Sequence, residues 1–212
     1  MKLVNIIVVA LACLSVSAYS QIDLSAAVAV PVGKFASNTD GLAQTRFGIS
    51  GTYYKPVSPQ LSIGAEAAFI MNTLDRKAFA AQLLDQGASD ASVGGGTYLN
   101  FPLMAVVMVS PGELKNHGIS LHAGIGVDFM RMTDMDFEID GDKGTIEFDP
   151  GSALAWSLGG QITSGQFIFG ARYLDLGEHS MTGKVKSNNG TSTLSGTQKV
   201  AVVNIFAGVR IP

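Results

Sequence analysis

Cysteine is almost absent: Cys13 is the only one in 212 residues, so a disulfide scaffold is excluded. Charge is scarce. Charged residues make up 15% of the chain, against a usual ~25%. Fourteen Lys+Arg against seventeen Asp+Glu leave a net charge of −3. With pI ≈ 5.5 and no Lys/Arg cluster, the chain lacks the basic face that phosphate neutralisation requires, so nucleic acid is not an expected partner. Disorder is excluded as well, because a hydrophobic content of 47% is far too high for it. Long apolar runs are missing after the N-terminus. The longest, Phe101 to Val109, is well short of the ~20 residues of a membrane-spanning helix.

The N-terminus itself has the layout of an export signal. Lys2 precedes an apolar stretch from Ile6 to Val16, and small residues follow in Val16-Ser17-Ala18 and Ala18-Tyr19-Ser20. No charge occurs between Leu3 and Gln21. A positive start, an apolar middle and a small-residue exit define a cleaved signal peptide. Residues 1–20 are therefore expected to be removed, leaving 21–212 as one domain. Two other readings fit less well. The stretch is short for a membrane anchor, and Ala10-Leu11-Ala12-Cys13 is a poor lipidation site. Cleavage near Ala18 or Ser20 leaves no cysteine for thiol catalysis or metal binding.

Beyond the leader, period-two alternation recurs in segments of about ten residues, as half-buried strands require. Eight are predicted: 22–30, 45–54, 61–71, 98–109, 118–129, 153–162, 167–174 and 201–211. One face carries large apolar residues such as Leu24, Phe47, Ile63, Leu103, Ile125, Leu158, Phe169 and Ile205. The other is mostly small: Ser25, Gly48, Ser50, Gly64, Ser120, Gly124, Gly126, Ser157, Gly159, Gly170 and Gly208. Every charge within these segments (Asp23, Arg46, Glu66, Asp128, Arg172 and Arg210) falls on the small-residue face.

That sorting separates two kinds of barrel. A soluble, ligand-binding barrel puts large apolar residues inside and covers its exterior with charge. Small residues with a few charges instead suit a crowded interior, which turns the apolar face toward lipid. The opposite register would push the charges into hydrocarbon, at ~2–4 kcal/mol for each Lys or Arg at the midplane. Connection lengths agree. Segments 31–44, 72–97, 130–152 and 175–200 are long, whereas 55–60, 110–117 and 163–166 are short, as in a membrane barrel with outer loops and inner turns. Phe47, Phe69, Phe101, Phe129 and Trp156 lie at the loop ends, and Tyr53 and Phe167 at the turn ends, forming two aromatic belts. The fold expected is all-β: an eight-stranded antiparallel up-and-down transmembrane β-barrel.

Short motifs carry a family resemblance. Pro31-Val32-Gly33-Lys34-Phe35 ends the first strand, Tyr98-Leu99-Asn100-Phe101-Pro102-Leu103 opens the fourth, Gly170-Ala171-Arg172-Tyr173 lies in the seventh, and Ala207-Gly208-Val209-Arg210 closes the chain. Over 21–212 the sequence resembles the small outer-membrane barrels of the OmpA/OmpX/OmpW-like class, the outer membrane protein beta-barrel domain family. The resemblance implies the cell outer membrane of a Gram-negative-type envelope, with membrane lipid as surroundings. It implies no cofactor. One departure is the ending Arg210-Ile211-Pro212, where such barrels often finish on an aromatic residue.

The inward charges must neutralise one another, because an unpaired buried charge is costly. Strand direction predicts an Asp23–Arg210 pair near the turn end and a Glu66–Arg172 pair at mid-height, with Arg46 and Asp128 toward the outer end. His122 joins this interior network. Ser120 and His122 share its face two residues apart. A barrel lipid A deacylase places His before Ser on a lipid-accessible face, so the reversed, inward pair here predicts no catalysis. Met104, Val106 and Met108, with Ile70 and Phe206, form an apolar interior patch.

The third outer loop is the most unusual segment. It alternates Asp134, Asp136, Glu138, Asp140 and Asp142 with Met135, Phe137 and Ile139. It is predicted to carry strands five and six outward as a protruding hairpin turning at Asp140-Gly141. Asp134, Asp136, Phe137, Glu138, Asp140 and Asp142 are the candidate surface-interaction residues, reached by strand addition at the hairpin edge. Its carboxylates also suit Ca²⁺, but EF-hand spacing is absent and no metal site is assigned. The second loop is predicted to hold a helix capped by Asp75 and ended near Gly87, before a flexible Gly94-Gly95-Gly96. The Ser/Thr/Gly/Asn-rich fourth loop, 177–198, reads as mobile. The expected function is non-enzymatic, a monomer with a structural or surface-interaction role toward extracellular or envelope partners. Alternatives are a narrow conduit for small hydrophobic solutes, a membrane-embedded lipid hydrolase, and a soluble ligand-binding barrel.

Overall fold

The computed structural model describes residues 20–37, 39–111, 117–188 and 190–211. The expected signal peptide, its cleavage site and Cys13 lie outside the described residues, Ser20 apart. Among the described residues, eleven strands form one sheet. They are β1 (Gln21–Pro31), β2 (Ala43–Pro56), β3 (Leu61–Leu74), β4 (Ala91–Gly95), β5 (Thr97–Val109), β6 (His117–Met132), β7 (Met135–Ile139), β8 (Asp142–Phe148), β9 (Gly151–Ser164), β10 (Phe167–Ser187) and β11 (Gly190–Ile211). Helix α1 spans Arg76–Asp85. β1, β2, β3, β5, β6, β9, β10 and β11 pair in that order, all antiparallel. The β10–β11 and β1–β11 pairings close the ring. These are the eight predicted strands.

The inside-out assignment follows from the closure. An eight-stranded barrel is just wide enough for its own side chains, so its inner face takes small residues. A Cβ added at Gly126 would lie 2.0 Å from the Leu103 carbonyl oxygen, and one at Gly208 2.1 Å from that of Leu24. The large apolar residues go outward: Leu103, Ile119, Ile125, Leu154, Leu158 and Ile205 are all more than half exposed. The outer aromatics form a ladder across four neighbouring strands. Phe47 and Phe69 meet at 6.3 Å between ring centroids, Phe69 and Phe101 at 5.1 Å, and Phe101 registers opposite Phe129.

The fourth loop is a correction. Residues 177–198 are two strands in continuous register, from Gly177 opposite Val200 to Ser187 opposite Gly190. β10 has 21 residues and β11 has 22, about twice the ~9–11 needed to cross a bilayer. A bulge between Asp175 and Gly177, with Gly177 at φ +89°, marks where β10 leaves the wall. Above it β10 pairs with β8, β8 with β7, and β7 with β4. The predicted hairpin 135–148 is therefore present, turning at Asp140 (φ 51°) and Gly141 (φ 85°). It does not prolong the β6–β9 pairing, but lies between β4 and β10. Neither of its edges is free. The glycines read as flexible belong to β4 and the residue after it, and α1 forms as expected, with Asp75 accepting the Ala78 N–H at 3.0 Å.

Exposure alone does not tell membrane from water, but substitution does. Ile125 and Val57 are each 59% exposed, one within the apolar belt and the other in a turn. Ile125→Arg is expected to lower unfolding stability in lipid vesicles by ~2–4 kcal/mol, while Val57→Arg changes it little. Urea unfolding read by unboiled gel migration makes the comparison. Equal tolerance of both would place the belt in water.

Candidate functional site

Two ion pairs fill the turn-end half of the lumen. Asp23 and Arg210 register directly across β1 and β11, and the carboxylate takes both Arg210 Nε (2.8 Å) and Nη2 (2.7 Å). The fork geometry makes this the stronger kind of pair. Gln161 Nε2 donates to the same carboxylate at 3.4 Å. Higher up, Arg172 Nη1 donates to Glu66 Oε2, which also takes the Thr52 hydroxyl at 3.1 Å. His122 Nε2 lies 3.7 Å from that oxygen, and the Phe206 ring lies 5.8 Å from the Arg172 guanidinium carbon. All four charged groups are under 10% exposed, and their charges cancel. The cavity among them holds only about 20 Å³, room for about one water.

The apolar patch sits within this network rather than apart from it. Ile70, Met104, Val106 and Met108 are buried, and Met108 Sδ lies 3.4 Å from Gln161 Nε2. Ser120 and His122 both face the lumen, and no hydrogen bond between them is found among the described residues.

Toward the loop end, Asp128 pairs with His179 at 3.1 Å, both completely buried. His179 also contacts the Leu176 carbonyl at 3.0 Å. This tie joins β6 to the projecting part of β10. His179 was missed in the sequence because its segment reads as a loop. The one signal for it was Asn188-Asn189-Gly190, a turn signature, preceded by the weak alternation Met181, Gly183, Val185. Asp175 and Lys199, a 2.8 Å pair, were missed for the same reason.

Arg46 is a correction. The β2–β3 register shifts between Gln44 and Phe47, and this bulge takes Arg46 out of the lumen. It is exposed, and its Nε donates to Thr73 Oγ1 at 2.9 Å. Asn72 fills the inward position instead, donating to the Ala29 and Gln44 carbonyls at 3.1 and 3.0 Å.

The mouth is closed by apolar packing. A short 3-10 turn, Gly33–Ala36, brings Phe35 edge-on to Tyr98 at 5.0 Å. The Tyr98 hydroxyl holds the Gly41 carbonyl at 2.9 Å. Leu42, Leu74, Met132, Met135, Leu176 and Val200 complete the cluster.

The candidate surface residues of the acidic hairpin are largely engaged with their own neighbours. Asp140 Oδ1 accepts from Ser89 N (2.8 Å), Ser89 Oγ (2.7 Å) and Asp90 N (2.9 Å), clamping the second loop to the hairpin turn. Asp136 accepts from Thr145 Oγ1 at 2.8 Å, and Glu138 pairs with Lys143 at 3.4 Å. Phe137 is half-buried against the apolar cluster. Asp142 stands opposite Ile139 at the start of β8, and Asp134 is exposed. Among the described residues no group of three or more His, Cys, Asp or Glu is arranged to hold a metal ion.

The lumenal pair and the hairpin clamp can each be tested by substitution. Arg172→Met, which strands Glu66 in the lumen, should cost ~3–5 kcal/mol, and the double variant with Glu66→Leu should recover most of it. Unfolding in detergent, read by unboiled gel migration, gives both values. The Ser89 hydroxyl, with the Ser89 and Asp90 amides, holds the Asp140 carboxyl below its usual range. A lowered carboxylate stabilises above its unfolded pKa of ~4 and loses that contribution as pH falls through the lowered value. Acid below ~pH 4 and Asp140→Ala should both expose 86–90 to protease, with the barrel's gel migration unchanged. Equal cleavage of wild type and variant at pH 7 would remove the clamp.

No family model matches the chain, and no curated protein sequence matches it. Solved structures do. A major outer membrane protein from Thermus thermophilus aligns with a TM-score of 0.55 at 11% identity, covering 91% of this chain and 99% of the other. The outer membrane protein OprG from Pseudomonas aeruginosa aligns with a TM-score of 0.52 at 13% identity, covering 91% and 95%. Ail, the attachment invasion locus protein of Yersinia pestis, aligns less closely, with a TM-score of 0.47 at 14% identity over 91% and 97%. Ring closure, lipid-type exterior and the first two of these alignments agree: the chain has the fold of the small eight-stranded outer-membrane β-barrels.

Proposed function

We propose that this chain is a non-enzymatic, monomeric barrel of the outer membrane of a Gram-negative-type envelope, exported by residues 1–20, that binds an extended segment of an extracellular or envelope partner through its outer sheet. One observation carries the reading. Above Pro31, whose partner is Val202, the β1-facing edge of β11 has no strand partner among the described residues. Residues 190–197 are exposed throughout and carry no charge. Edge strands in water are normally blunted by Lys, Pro or a bulge, because their open N–H and C=O groups recruit other strands. This edge, Gly-Thr-Ser-Thr-Leu-Ser-Gly-Thr, has none of these, which suits strand addition. The edge sought in the acidic hairpin is thus supplied by β11 instead. The small cavity, the cancelled charges and the packed mouth weigh against the conduit reading, and the buried, unjoined Ser120 and His122 against the hydrolase.

A photo-crosslinker at Leu194, which is 52% exposed, tests this on intact cells. The expected result is a discrete protein adduct absent from a Val57 control, with slowed amide exchange over 191–197 in the complex. An adduct without amide protection would overturn strand addition.

A further inference from the structure

The bulge that expels Arg46 from the lumen also gives it a new neighbourhood. Thr73 lies between buried Asn72 and Leu74, so its hydroxyl, which holds Arg46, is on the outer face of β3. Arg131 lies on the same outer face, between buried Met130 and Met132 and two residues beyond Phe129 of the aromatic ladder. It registers opposite Leu99, Leu99 opposite Met71, and Met71 opposite Phe47. Arg131 thus stands level with Phe47 in the top row of the apolar belt, and Thr73, which holds Arg46, lies two residues further along β3; two strand spacings and that offset separate Thr73 from Arg131 by ~12 Å. Thr97, opposite Thr73, puts a further residue with a hydroxyl between them. Both arginines are exposed, and neither has a carboxylate partner among the described ion pairs.

We propose that Arg46 and Arg131 form a binding site for the phosphate groups of an anionic lipid in the surrounding leaflet. A guanidinium meets phosphate with two parallel hydrogen bonds, and the apolar belt directly beneath reduces the water competing for them. The aromatic ladder supports the acyl chains, so headgroup and chains are met in the order in which a lipid presents them. The site takes the lipid rather than free phosphate because its lower boundary is the hydrocarbon surface itself. The proposal rests on the membrane-embedded reading given above.

The test is native mass spectrometry of the purified barrel in detergent, titrated with diphosphoryl lipid A, with dephosphorylated lipid A and with inorganic phosphate. Unboiled gel migration is run on every sample. The wild type is expected to retain one diphosphoryl lipid, with retention at least about tenfold weaker in the variant R46Q/R131Q and for the dephosphorylated lipid. Lys143→Gln, on the distant hairpin, is expected to leave retention unchanged. Equal retention by R46Q/R131Q, equal retention of the dephosphorylated lipid, or equally tight binding of inorganic phosphate would each overturn the proposal. If the double variant does not fold, Arg131→Gln alone carries the comparison. A wild type that shows no heat-dependent migration would instead overturn the membrane reading, and this site with it.

Discussion

The narrow closure of eight strands governs this molecule. A ring of that size leaves limited room inside, so glycine, serine and alanine recur on the inner face between larger residues such as Ile70, Met104 and Met108. The large apolar residues are left to the exterior, where only lipid satisfies them. The few charges that remain inside then have no solvent, and each must face an opposite charge. Asp23 with Arg210 and Glu66 with Arg172 are the outcome. The same closure leaves a cavity of about one water among them.

The second organising feature is the departure of β10 from the wall. At the Asp175–Gly177 bulge, β10 turns from a barrel partner of β9 into the base of an outer sheet shared with β8, β7 and β4. This sheet is anchored by polar contacts as well as by the apolar cluster. His179 reaches Asp128 in the wall, and Asp140 holds the second loop. Part of the third loop's charge therefore serves the bonding of the sheet, while Asp134, Asp136, Asp140 and Asp142 remain exposed.

A bulge does comparable work at the rim. The irregularity in β2 shifts Arg46 from lumen to exterior, leaving Asn72 to satisfy two backbone carbonyls inside. The rim thus has arginines standing above phenylalanines, the order of a lipid–water boundary.

How much of this was legible in the chain follows from the range of each signal. Alternation is local, so the strands, their faces and the apolar exterior could be read directly, as could the α1 cap at Asp75 and the turn at Asp140-Gly141. Strand direction and the need for neutrality were enough to match Asp23 with Arg210 and Glu66 with Arg172. Arg46 could not be placed, because a bulge changes facing without changing composition. The outer sheet was equally hidden: Ser, Thr and Gly in 177–198 look the same in a loop as in a strand. That segment is ordered by partners far away in sequence, β8 and the Asp128–His179 contact. The sequence by itself determined which face meets lipid, since burial of apolar area and exclusion of charge are additive along each strand. Only the tertiary structure decided which edge stays open and which charges reach the surface, since both depend on register between strands that no local pattern records.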